Sequence, residues 1–121
     1  KAGAGFPSPA TDYIEEDIDL NVHLIKNVPA TFVIRVQGRS MTDVGINDGD
    51  ILVVDKSLNP RNFSTVIANV HDELVVKTFV QERDKKFLTS GSKKFEDRIL
   101  INEEEDIFIW GVVTYVIHSV Y

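Results

Sequence analysis

The chain has 121 residues, 43% apolar and 26% charged, which fits one soluble domain with a real hydrophobic core. Its net charge of −6 argues against a phosphate-binding face on this domain, but leaves room for a basic domain elsewhere in a longer protein. The absence of cysteine excludes a disulfide framework and a Cys-based metal site and suits a cytoplasmic location, and no apolar run approaches the ~18 residues of a membrane span. Lys1 is not an initiator Met, so a processed form or fragment is expected, with further chain before it.

Residues 1–10 (KAGAGFPSPA) are Gly, Ala, Pro and Ser around one Phe and a Lys, a composition that predicts an extended or mobile arm; we place the arm at 1–12 and the folded domain at 13–121. Asp19 as N-cap and the shared face of Leu20, His23, Leu24 and Asn27 predict a short helix over about 20–27, ended by Pro29. From Thr31 the period becomes 2: Phe32, Ile34 and Val36 alternate with Thr31, Val33 and Arg35, which predicts a strand broken at Gly38. A short turn or helical segment (SMTDVGI), the NDGD turn and a buried strand from Ile51 to Val54 follow. VIANV and ELVVKTFV read as a hairpin turning at His71–Asp72, then KKFLT and RILI, and finally a long β-rich run, IFIWGVVTYVIHSV, with a bulge or bend expected at Gly111. Glu103-Glu104-Glu105-Asp106 reads as a solvated turn. The expected fold is mainly β, with strongly bent antiparallel sheets and one or two short helices.

The usual catalytic sets are poorly represented. His23, His71 and His118 fall on a helix, a turn and a terminal strand, without the spacing of a zinc site or a His-based triad. Asp43, Asp48, Asp50 and Asp55 frame a turn but lack the glutamate and glycine positions of a calcium loop. No phosphate loop is present, and no cofactor is expected.

Two residues remain. Ser40, in Gly38-Arg39-Ser40-Met41, follows a strand and opens a helical segment. Ser-x-x-Asp is also a capping pattern, so Ser40 reads either as a cap or as an exposed nucleophile beside backbone N–H groups able to stabilise an oxyanion. Lys77, in LVVKTFV, shares a face with Val75 and Phe79, and both faces of that strand are largely apolar. It reads either as an edge lysine snorkelling to water or as a desolvated amine able to take a proton from serine. Ser–Lys pairs are a known variant of the nucleophile–base arrangement.

Five ordered segments together resemble the self-cleaving serine peptidases of the LexA/UmuD type. Ala4-Gly5-Phe6-Pro7-Ser8-Pro9-Ala10 resembles the cleavage region, and Gly38-Arg39-Ser40-Met41 the Gly-x-Ser-Met nucleophile motif. Asp48 to Asp55 and Val75-Val76-Lys77 resemble the strand after the serine and the strand carrying the lysine, and Trp110-Gly111-Val112-Val113 the C-terminal strand. Gly5 to Ser40 is 35 positions and Ser40 to Lys77 is 37, both similar to the UmuD pattern. The resemblance covers Ala4 to about Val116.

The resemblance implies that Ser40 attacks the Ala4 carbonyl while Lys77 accepts the hydroxyl proton and later delivers it to the Gly5 amine. It implies a homodimer, and cleavage stimulated after DNA damage by a RecA–single-stranded-DNA filament as part of the SOS response. The UmuD version implies an accessory subunit of an error-prone translesion polymerase; the LexA version, a repressor that binds operator DNA through a separate N-terminal domain. Met41 and Phe6 are expected as packing or arm-docking residues, and Trp110 and Val112 to Val116 as core or dimer interface. A non-catalytic β interaction module is a further alternative. Signal-peptidase-like membrane processing also uses Ser–Lys chemistry, but no transmembrane anchor is visible here.

Overall fold

The computed structural model describes residues 14, 17–38, 41–91 and 98–121. The arm at 1–12, with Ala4, Gly5 and Phe6, lies outside the described residues, and so does Ser40.

Among the described residues, seven strands form one antiparallel sheet: β1 (Thr31–Arg35), β2 (Ile51–Asp55), β3 (Thr65–Val70), β4 (Glu73–Glu82), β5 (Lys85–Thr89), β6 (Ile99–Leu100) and β7 (Ile107–Ile117). Their order across the sheet is β1-β2-β7-β3-β4-β5-β6, so the long last strand lies between β2 and β3 and ties the two halves of the chain together. Local chemistry sets the hairpins. His71 and Asp72 both have positive φ, 51° and 69°, the backbone of the tight turn whose twist matches paired strands.

The expected strongly bent sheets are corrected by this topology: the strands form one open sheet, neither closed nor strongly curled. Closure would require the edges to hydrogen-bond, and β6 offers only two residues against the five of β1. The bulge or bend expected near Gly111 is taken up inside β7. Val53 and Val54 face Tyr115 and Val113, leaving Thr114 extra; Ile67 and Ala68 face Gly111 and Ile109, leaving Trp110 extra. The glycine beside the second bulge has a steric reason, because a Cβ at Gly111 would stand 2.6 Å from Val54 Cγ1 in the core.

Side-chain alternation along β3 sends Ile67 to one face and Val66 and Ala68 to the other. Ile67 joins Leu52, Val54, Val36, Met41 and Ile46, the last three supplied by the segment between β1 and β2. Val66 and Ala68 join Phe79, Leu88, Ile107 and Val112. Trp110 and Val113 pack half-buried against the first cluster, and Val116 is exposed.

The one α-helix among the described residues, α1, is shorter than predicted: Leu20–Leu24, capped by Asp19, whose carboxylate accepts from the Asn21 and Val22 N–H groups. Ile25 is already extended, and Pro29 sits in a separate 3₁₀ turn, Val28–Ala30. None of the helix's side chains is buried, so tertiary packing does not extend a sequence whose Val22 and Ile25 are poor helix formers. The acidic run forms an exposed 3₁₀ turn, Glu103–Glu105, ahead of β7.

Candidate active site

Lys77 lies where β4 changes its partners. On one side β4 pairs with β3 over Glu73–Thr78, and Lys77 faces Val66. On the other side β5 begins pairing only at Thr78, opposite Thr89. From Glu73 to Lys77, β4 therefore has no partner strand on that side among the described strands. Because that edge is open, residues from both faces of β4 reach one cleft: Leu74 and Val76 from one face, Val75 and Lys77 from the other.

The cleft has a volume of about 590 Å³, with Ile34, Met41, Leu52 and Ile67 in its apolar wall and Arg35, Gln37, Lys77 and Ser90 as its polar residues. This combination of apolar lining and few convergent polar groups is typical of a binding site. Lys77 is half-buried, and its Nζ donates to Ser90 Oγ at 3.1 Å. Val75 and Phe79 pack in one cluster, as the alternation predicts for the face they share with Lys77.

The chain on either side of residue 40 is tightly held. Upstream, Gly38 N–H donates to Asp48 Oδ1 at 2.7 Å, Val36 N–H to the Asp50 carbonyl, and Gly49 N–H to the Val36 carbonyl. The NDGD turn thus clamps the end of the segment that leads to the Gly-x-Ser-Met motif. Downstream, Met41 is buried, its carbonyl accepts from Val44 and Ile46, and its Sδ lies 2.9 Å from Gly91 N. A 3₁₀ turn occupies Thr42–Val44 with Met41 in the cap position.

Asp50 is almost fully buried and carries a second link. Its Oδ2 accepts from Asn47 N–H, and its Oδ1 pairs at 2.7 Å with Nδ1 of His118, just beyond β7. The Asn47 hydrogen bond, and after it the His118 hydrogen bond, hold the carboxyl below its ordinary value of 3.8 against the opposing effect of burial. A depressed carboxylate contributes stability that is present above the ordinary value and is lost as pH falls through the native one. The thermal midpoint of the parent should therefore drop as pH is lowered from about 3.8, and the gap between parent and Asp50→Asn should narrow over that range. Thermal melts at stepped pH check this; a gap of constant size would contradict it.

Sequence reading missed Ser90 and the Asp50–His118 pair. The first had a findable signal: once KKFLT is paired back on ELVVKTFV with Thr78 against Thr89, the next step in register sets Ser90 beside Lys77. The second had none, since 68 positions separate its partners.

The open β sheet thus places a half-buried lysine in an apolar cleft next to the anchored flanks of a serine motif. The family model described as Peptidase S24-like matches residues 1–114, and the chain belongs to that family. It is similar to Protein ImpA of Salmonella typhimurium, 45% identical over 95% of this chain and 77% of that protein. It is also similar to Protein MucA of Escherichia coli, at 39% over 95% and 78%, and to the LexA repressor of Providencia rettgeri, at 34% over 98% of this chain and 58% of the repressor. The protein is a serine endopeptidase with self-cleavage activity, of the UmuD/LexA type associated with the SOS response. No helix among the described residues is long and apolar enough to cross a membrane.

Proposed function

We propose that this protein cleaves its own Ala4–Gly5 bond, with Ser40 as nucleophile and Lys77 as general base, when a RecA–single-stranded-DNA filament stimulates it. The observation that carries the reading is the cleft shared by Lys77 and Met41, because Ser40 is the covalent neighbour of Met41. The unpaired edge of β4 over Glu73–Lys77 supports arm entry, since an extended peptide can add to such an edge through main-chain hydrogen bonds. Residues 1–12 are that arm and residues 13–121 the peptidase and dimerisation domain. The small side chains of Ala4 and Gly5 suit a narrow approach to the nucleophile.

Cleavage by an arm that visits the cleft only part of the time is a population-shift switch, and the filament favours the docked state. After cleavage the trimmed dimer serves as an accessory subunit of an error-prone polymerase. Higher identity to ImpA and MucA than to the LexA repressor, over a larger share of their length, favours this reading above a repressor's peptidase domain. Incubating the chain with RecA, single-stranded DNA and a slowly hydrolysed nucleotide tests the proposal. The expected result is a cleavage rate at least tenfold above that with RecA alone; equal rates would rule out filament stimulation.

A further inference from the structure

Ser90 is the only side chain hydrogen-bonded to Lys77 among the contacts of the described residues, and the fold holds it firmly in place. Its preceding neighbour, Thr89, is fully buried and paired to Thr78. Its following neighbour, Gly91, is pinned twice: its carbonyl accepts from Thr78 Oγ1 at 2.7 Å, and its N–H meets Met41 Sδ. Gly91 has φ +57°, and the Asp43 carboxylate occupies the space where a Cβ would go. Ser90 is thus fixed to the residue that follows Lys77 and to the residue that follows Ser40.

We propose that Ser90 is a positioning residue for the general base: its Oγ accepts one N–H of Lys77 Nζ and so restricts where the amine's lone pair points. This rests on the Ser40–Lys77 reading above. A lysine stem has four rotatable carbons and a freely turning amine, so an unguided lone pair faces the serine hydroxyl only part of the time. With one N–H engaged, two directions remain for the lone pair. As the Ser40 Oγ to Ala4 carbon bond forms, the hydroxyl proton passes to Lys77, and the bond to Ser90 becomes charge-assisted and stronger. When the Ala4–Gly5 C–N bond breaks, the same proton leaves with the Gly5 amine. Ser90 gains and loses nothing, but its bond is strongest when the lysine is charged, so it favours the transition state over the resting amine.

The test compares self-cleavage of the parent, Ser90→Ala, Ser90→Thr and Ser40→Ala from pH 7 to the alkaline plateau, with melting temperatures alongside. Ser90→Ala should be slower by about tenfold or more at every pH, the plateau included, while melting within a few degrees of the parent, and Ser90→Thr should recover most of the rate. Parent-like rates in Ser90→Ala, with Ser40→Ala inert, would overturn the positioning role and leave the Ser40–Lys77 reading standing. Cleavage persisting in Ser40→Ala would overturn both. A readout independent of cleavage is the NMR order of the Lys77 Cε methylene in a Ser40→Ala background. It should fall when Ser90→Ala is added and hold with Ser90→Thr; no fall would overturn the proposal.

Discussion

Lys77→Arg should leave the chain uncleaved under conditions in which the parent cleaves itself, a loss of rate of about 10⁴-fold or more. The substitution keeps a long basic side chain on β4, so it changes packing little. It removes one property: a guanidinium does not give up its proton in a protein and cannot act as a base. Lys77→Ala should fail equally, while also emptying part of the cleft that the stem lines. An edge lysine that merely reaches water would tolerate either change, because exposed strand positions are usually worth a few tenths of a kcal/mol. Time courses of intact mass, with melting curves to show both variants folded, check the prediction; cleavage of Lys77→Arg within tenfold of the parent would remove Lys77 from the mechanism.

Ser40→Ala should be equally inert, and for a different reason. Alanine has no oxygen to form the acyl bond, and no other group in the mechanism replaces it. Ser40 as a helix cap predicts something else: a loss of about 1 kcal/mol of stability with cleavage intact. The turn that follows begins at Thr42, with Met41 in the cap position. The two accounts therefore separate cleanly in one variant, which loses cleavage and keeps its melting temperature, or keeps cleavage and melts lower.

Much of the fold was legible because it is local. His71–Asp72 announced its hairpin, and the buried β2 run and the faces of β4 followed from alternation. The helix was overread at its C-terminal end: the periodic face extended to Asn27, but none of it is buried, and Ile25 turned extended instead. The sheet was misjudged because many short strands with few helices do not say how strongly the sheet they form bends, and the bend expected at Gly111 is local. In β7 it is absorbed by Trp110 and Thr114 as single extra residues, and the sheet stays open.

At the site, Lys77 was legible as a charge among apolar neighbours on both faces. What the sequence yields only once the β4–β5 register is known is that β5 starts pairing at Thr78, which opens the cleft, and that Ser90 lies across from Lys77. Both depend on strand register, which one residue's slip would reverse. The clamp of Asp48, Gly49 and Asp50 on the chain before Ser40 was read only as a turn, because its partners Val36 and Gly38 are brought to it by the β1–β2 pairing.

The most direct test is the intact mass of the parent and of Ser40→Ala after incubation at mildly alkaline pH, with and without an activated RecA filament. The account predicts that the parent loses Lys1 to Ala4, leaving a product that begins at Gly5, and that Ser40→Ala keeps its full mass. Loss of the same fragment from both chains, cleavage at another bond, or no loss from a parent whose arm is shown intact would contradict it.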